Sequence, residues 1–474
     1  MEFWSQLQVI KPELCMAGLA MVVLMLELVF KEKDVLALLS VLTIVIVGFV
    51  TLQGSPGIVF NSMFIADNYS LFFKIIFLSN ALLTIFISVR YLKVEEIHFG
   101  EYYSLILFST LGMMIMASAG DLIVLYLGLE LMALSTYILA GFKRDDPRSN
   151  EAALKYFLLG AFSSAILLYG ISMIYSITGT TVIRDIALQV SRVTLIHNAQ
   201  LMMGLTMLIV AFGFKIAAAP FHMWAPDVYE GAPTPITAFM SVGPKAAGFA
   251  ILARVFLTGF EPVAVDWQFT LSIMAVLTMA VGNILALTQT NIKRMLAYSS
   301  IAHAGYMLLG VIPGTAEAIG AMMLYMLIYA FMNIGAFTVI ILLNSKTLKG
   351  EELSDYEGLG KTHPILGALM LLFMFSLTGI PPTAGFVGKF YLFLAVINAG
   401  YAWLAIVAVI FSAISAFFYL RVIMLMYMKD PQREVHLAPS ATETVAAFFT
   451  TIMVLLIGIL PSYFIQFAMS SIIL

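Results

Sequence analysis

One cysteine, Cys15, stands in 474 residues, so the chain can build neither a disulfide within itself nor an iron–sulfur cluster. Histidine is nearly as scarce. The six, His98, His197, His222, His303, His363 and His436, are scattered with no two on one apolar segment, which denies a haem a facing pair of axial ligands. Electron transfer inside this chain is therefore not expected, and no cofactor is expected to bind it. Charge is also thin, at 11% of residues with a net charge of −3, and no basic tail gives reason to invoke nucleic acid.

Hydrophobic residues fill that space. They make up 62% of the chain, and a mean hydropathy of +1.01 exceeds what a soluble core of this size needs. Runs of spanning length lie at about 12–30, 35–53, 69–90, 101–119, 121–142, 150–178, 201–219, 234–258, 268–290, 294–312, 315–344, 364–398, 402–428 and 440–468. The expected fold is an all-α polytopic membrane protein with about fourteen transmembrane helices. The N-terminus lacks a basic region and a small-residue cleavage site, so the first run is expected to be a retained helix, not a signal peptide.

Basic residues orient the spans. Alternate loops hold Lys31, Lys33, Arg90, Lys93, Lys143, Arg144, Arg148, Lys293, Arg294, Lys346, Lys349, Lys361, Lys429 and Arg433, whereas the opposite side holds Lys11, Arg184 and Arg192. Cytoplasmic loops concentrate Lys and Arg, so both termini are expected on the outer side of a bacterial inner membrane.

Two spans carry interruptions. The seventh contains Lys215-Ile-Ala-Ala-Ala-Pro220-Phe-His222, and the twelfth contains Gly379-Ile-Pro381-Pro382-Thr-Ala-Gly-Phe-Val-Gly-Lys389. Proline removes a backbone donor and clashes with the preceding turn, so helices 7 and 12 should be broken. Breaks at matching positions of two halves point to a conduction site near the midplane. They lie five spans apart, an odd number, so spans 4–8 and 9–13 would form two inverted five-helix repeats. The expected divisions are a leading three-helix group (1–100), the first repeat (101–260), the second repeat (261–430) and a C-terminal helix (431–474).

The remaining seven of the 24 basic residues, Lys74, Lys155, Lys215, Lys245, Arg254, Lys389 and Arg421, fall inside apolar runs. A charge at mid-depth costs roughly 2.5–3.5 kcal/mol even on lenient insertion scales, so those held there are expected to work. Lys74, Arg254 and Arg421 lie near span ends and can snorkel to the interface. Glu130, Lys245 and Lys389 lie deep, and Lys215 sits at a helix break that can admit water. A buried carboxylate with lysines whose proton affinity responds to neighbouring charge is what a proton relay requires. Glu130 is expected to pair with Lys215 and modulate it, with Lys245 as middle carrier and Lys389 as terminal one. Lys155, His222 and His303 are secondary proton-path candidates. The competing reading of all these groups is static ion pairs that hold helices together.

The run Phe214-Lys215-Ile-Ala-Ala-Ala-Pro220-Phe-His222-Met-Trp224-Ala-Pro226-Asp227-Val-Tyr229-Glu230-Gly231-Ala-Pro233-Thr-Pro235 resembles the antiporter-like membrane-arm subunits of respiratory complex I, and is most like the smallest of the three. Supporting segments are Gly-Leu-Glu130-Leu, Ser241-Val-Gly-Pro244-Lys245, Asn291 to His303, and Gly379 to Lys389. The resemblance implies a fourteen-helix fold of two inverted bundles, within a hetero-oligomeric NADH:quinone oxidoreductase that translocates protons. It implies proton-path roles for Glu130, Lys215, Lys245 and Lys389. It also implies that NADH, flavin, iron–sulfur and quinone sites lie in partner subunits, and that this chain contacts other membrane-arm subunits and lipid. A subunit of a multisubunit Na+/H+ antiporter and a non-pumping scaffold subunit are the alternatives.

Overall fold

The computed structural model describes residues 2–192, 198–346, 348–431, 437 and 439–472; His197, Arg433 and His436 lie outside them. The described residues are mostly helical. In chain order the helices are α1 (Glu2–Val9), α2 (Lys11–Leu26), α3 (Lys33–Leu52), α4 (Asn68–Val94), α5 (Glu101–Ser118), α6 (Leu122–Ala140), α7 (Pro147–Thr178), α8 (Ile183–Val190), α9 (Ala199–Lys215) and α10 (Trp224–Gly231). They continue with α11 (Thr234–Arg254), α12 (Ala264–Ala286), α13 (Ile292–Val311), α14 (Ala316–Leu343), α15 (Leu359–Thr362), α16 (Pro364–Thr378), α17 (Ala384–Asn398), α18 (Ala402–Met428), α19 (Ala441–Ile459) and α20 (Pro461–Met469). Among the described residues, nine helices are long and apolar enough to cross a membrane, and α9, α16 and α17 are shorter apolar helices.

Helix ends near a bilayer leave amide groups that lipid cannot satisfy, and local side chains take them up. Asp67 and Ser70 form a reciprocal capping box on α4, Asp121 accepts from Ile123 and Val124 at the start of α6, and Asn291 accepts from Arg294 at the start of α13. α11 and α14 are buried along their whole spanning windows, whereas α18 and α19 are one-third buried, so the first two form the axis of the molecule. Around that axis α14 packs on α4, α11, α13, α16, α17, α19 and α20. α12 and α13 approach closely because Gly282 has no side chain, and a Cβ there would stand 2.4 Å from the Ala302 nitrogen.

Both expected interruptions are present. α9 stops at Lys215, Ala217 takes a left-handed φ of 57°, and helix resumes at Trp224. α16 ends at Thr378 with Gly379 in the left-handed conformation (φ 93°), and α17 begins at Ala384. Other details depart from expectation. A two-stranded hairpin, β1 (Gly57–Val59) with β2 (Phe64–Ala66), follows α3, so the fold is not purely helical. The last apolar run is divided at Pro461 into α19 and α20, since proline cannot donate into the preceding turn.

Two basic residues expected to snorkel are instead buried in ion pairs. Lys74 is 3% exposed and its Nζ lies 2.7 Å from Glu13, while Arg254 is 4% exposed and donates to Asp67 at 2.9 Å and to the Ala117 carbonyl at 3.0 Å. Nearness to a span end did not put these stems in lipid, because neighbouring helices supply a carboxylate there. Arg421 donates to the Leu287 and Gln289 carbonyls, at 2.9 and 2.5 Å, and so closes the C-terminal end of α12.

Candidate functional site

The interrupted helices set two sites of different character. At the first, Lys215 is the last residue of α9, and its Nζ lies 5.9 Å from the Tyr137 ring centre and 5.7 Å from that of Phe214. The break is held open in one orientation by the indole of Trp224, which donates to the Phe214 carbonyl at 3.0 Å. Glu130 is half-buried on α6, close enough to act electrostatically on both Lys215 and the Tyr137 hydroxyl. No hydrogen bond reaches Lys215 Nζ, Glu130 Oε1 or Tyr137 Oη among the described residues. The direct Glu130–Lys215 pair expected from the sequence is therefore not formed. The two charges are neighbours across a gap, because Lys215 ends its helix beside aromatic faces, whereas Glu130 sits on the face of α6 that also bears exposed Leu127 and Leu134.

The second site lies on the molecular axis. Lys245 follows Pro244 in the middle of α11, and its Nζ donates to the Ser300 carbonyl at 2.6 Å and to the Ser300 hydroxyl. The adjoining Ser299 hydroxyl is 2.5 Å from Tyr419 Oη, which lies 3.1 Å from His303 Nε2. His303 Nδ1 is 2.7 Å from Tyr325 Oη, so both nitrogens of this buried imidazole have hydroxyl partners. The ring of Tyr306 packs edge-on to His303 at 5.7 Å and lies 5.2 Å from Lys389 Nζ, while its hydroxyl accepts from Asn283 at 3.2 Å.

Lys389 explains what the second break supplies. Ending α16 at Thr378 frees carbonyls that would otherwise accept within the helix. Lys389 Nζ donates to two of them, Leu377 at 3.0 Å and Thr378 at 2.8 Å, and to Ser412 at 2.9 Å. A lysine in hydrocarbon depth is thus solvated by the end of the broken helix.

Of the sequence candidates, Lys245, His303 and Lys389 share one polar neighbourhood, and Glu130 and Lys215 share another. Lys155 and His222 join neither. Lys155 is partly exposed and pairs with Glu151 and Asp227, both at 2.7 Å. His222 is half-buried in the segment after the first break, beside the Pro220 carbonyl. Residues the sequence did not single out are Tyr137, Ser299, Ser300, Tyr306, Tyr325 and Tyr419. Ser299, Ser300 and Tyr306 could have been found as neighbours of His303 at helical spacing on α13. Tyr137, Tyr325 and Tyr419 come from other helices and carry no such signal. No group of three potential metal ligands converges among the described residues.

The family model described as NADH:quinone oxidoreductase/Mrp antiporter, transmembrane region, matches residues 119–415. The chain is 51% identical over 471 residues to NADH-quinone oxidoreductase subunit N of Trichlorobacter lovleyi, covering 98% of this chain and 97% of that one. It is 48% identical over 466 residues to NADH-quinone oxidoreductase subunit N 2 of Rhizobium meliloti, covering 97% and 96%. Its fold superposes on a chain of respiratory complex I from Thermus thermophilus with a TM-score of 0.83, at 32% identity and with 96% and 98% of the two chains covered.

Proposed function

The chain belongs to the NADH:quinone oxidoreductase/Mrp antiporter transmembrane family, and from that premise we propose that it is a proton-translocating membrane subunit of an NADH:quinone oxidoreductase. As such it is part of a translocase, with electron transfer carried out by other subunits and with NADH, flavin, iron–sulfur and quinone sites held there. Its partners are the other membrane-arm subunits and the bilayer.

The observation that carries this function is the second site. Lys245 stands on the axial helix α11, with His303 on α13 and Lys389 on α17 beside it; Ser300 bonds Lys245, and the adjoining Ser299 and Tyr419 hydroxyls lead in series to His303. Hydroxyls both donate and accept, so they can pass a proton between a lysine and an imidazole. Glu130 acts on Lys215 from across a gap, and a change in charge at either alters the proton affinity of the other. We take Glu130 and Lys215 as the modulated pair, Lys245 as the middle carrier and Lys389 as the terminal one. His303 lies between these last two, and Lys155 and His222 remain peripheral candidates.

The finer architecture belongs to the same proposal. Fourteen spans result if α16 and α17 count as one broken span and α2, α5, α9 and α13 are added to the nine long helices. The two interruptions then fall in corresponding helices of inverted five-helix repeats, with a leading three-helix group and a trailing helix outside them. Both termini face outward from a bacterial inner membrane.

Inverted membrane vesicles test the function. With the chain present, NADH should drive acidification of the lumen, and replacing all sodium by potassium should leave that acidification unchanged. Acidification that requires sodium, or sodium-driven proton exchange without NADH, would overturn the proposal in favour of a cation/proton antiporter subunit.

A further inference from the structure

The most specific run in the sequence, Trp224 to Pro235, supplies no carrier to the two sites, yet Trp224 borders the first and Asp227 and Glu230 bind α13, the helix of Ser300 and His303. α10 is eight residues long and leads straight into α11, the helix of Lys245. Its first residue, Trp224, stacks on Tyr156 of α7 at 4.6 Å and holds the Phe214 carbonyl beside Lys215. One turn on, Asp227 accepts from Lys155 of α7 at 2.7 Å and from Arg294 of α13 at 2.8 Å. Glu230, one turn further on the same face, accepts from the same Arg294 nitrogen at 2.9 Å. The adjacent Lys293 donates to the Ala232 carbonyl at 2.8 Å, where α10 passes into α11.

These bonds tie the start of α11 to the start of α13. Between the two helices, Lys245 meets Ser300. Arg294 lies six residues before Ser300, about 9 Å along a helix that transmits displacement rigidly over that distance. The prolines at 233 and 235 fix φ in the joint from α10 to α11, which makes it a poor place to absorb a shift. Asp227 is a clamp and not a carrier. Burial pushes its carboxyl up, but the hydrogen bonds from Lys155 and Arg294 outweigh that and hold it below the usual aspartate value, so it stays ionised at neutral pH. A polar cavity of about 220 Å³ surrounds the cluster, leaving Lys155 and Arg294 room to reorient about a carboxylate that they share.

We propose that Asp227, with Glu230, is a positioning residue: through Arg294 it sets the register of α13 against α11, and hence the Lys245–Ser300 contact through which the proton is handed on. The inference rests on the relay proposed above.

The test uses the assembled complex in inverted vesicles carrying Asp227→Asn, with NADH oxidation normalised to complex on a native gel and measured in H₂O and D₂O. Turnover per complex should fall about tenfold, the scale of a lost charged hydrogen bond, and the solvent isotope effect should rise above wild type as proton handover becomes limiting. Asp227→Glu keeps the carboxylate that Lys155 and Arg294 share and should restore at least half the turnover and the wild-type isotope effect. A lowered turnover with an unchanged isotope effect, or full turnover, overturns the latch that Asp227 and Glu230 are proposed to form on Arg294. If Asp227→Asn fails to assemble, Glu230→Gln removes one of Arg294's two acceptors and should show the same signature at smaller amplitude; wild-type behaviour there overturns it equally. Lys215→Ala measured alongside separates the two ideas. Full turnover in that variant removes the relay and the latch's purpose together, whereas lost turnover there with full turnover in Asp227→Asn removes the latch alone.

Discussion

The two interrupted helices carry lysines of opposite circumstance, Lys215 at the end of α9 and Lys389 in the second turn of α17. Lys389 is solvated by three oxygens, two of them carbonyls released by the break itself, while Lys215 has aromatic faces beside it and no hydrogen bond among the described residues. Proline and glycine open the backbone in both places, so the break alone does not determine the environment. What differs is where the free carbonyls point. At the second break they face the lysine, and at the first the indole of Trp224 takes the Phe214 carbonyl. An ammonium bonded on three sides is held in place by its acceptors, whereas one without such bonds answers to whichever charge is nearby, here Glu130. In the relay proposed above, the first site would respond to charge and the second would hand the proton on.

The largest effect should come from breaking the bonded site. Lys389→Ala removes the proposed terminal carrier and leaves the Leu377 and Thr378 carbonyls without their Lys389 donor. NADH-driven acidification per assembled complex should fall about 100-fold, the scale of a lost positioned proton carrier. Quantitative native gels should also show less complex, because an orphaned buried carbonyl costs roughly 1–3 kcal/mol. Retained acidification would show that Lys389 is a structural plug.

Two tyrosine substitutions sharpen the contrast. Tyr419→Phe removes a hydroxyl that lies between Ser299 and His303, and should lower turnover about fivefold, the equivalent of one hydrogen bond of about 1 kcal/mol. Tyr137→Phe removes a hydroxyl without a partner among the described residues and leaves the ring beside Lys215. It should leave thermal stability equal or slightly higher and change turnover less than Tyr419→Phe does. Equal loss in both would erase the distinction between the sites.

The smallest effect should come from Glu130→Asp, which keeps the charge and retracts it by one methylene. Since Glu130 acts across a gap and not through a contact, turnover should fall by about twofold or less, the scale of a weakly coupled charge pair. Glu130→Gln, which removes the charge, should fall well below it. A drop of the same size in both would mean that Glu130 works by contact and not by its field.

Much of this was legible in the chain itself. Helix breaks announce themselves through Pro220, Pro381 and Pro382, and the positions of Glu130, Lys215, Lys245 and Lys389 stand out by depth in runs that otherwise exclude charge. The partners of those residues were not legible. α11 and α14 are buried on every side and therefore present no polar face for periodicity to mark, so nothing in the sequence tells Tyr325 from a lipid-facing tyrosine. Depth also misled at Lys74 and Arg254. It measures distance from a span end, and it is blind to Glu13 and Asp67 arriving from other segments to pair with them. The missing Glu130–Lys215 contact has the same origin, since helical register places both residues at similar depth and says nothing about how far apart α6 and α9 hold them.

Lys215→Ala in inverted vesicles tests the central claim most directly, with NADH oxidation and NADH-driven acidification followed together and the assembled complex quantified on a native gel. Both rates should fall about tenfold or more with assembly intact, because a tightly coupled translocase stalls when one carrier is removed. Normal NADH oxidation and acidification in the assembled variant would contradict it and leave Lys215 a passive end to a broken helix.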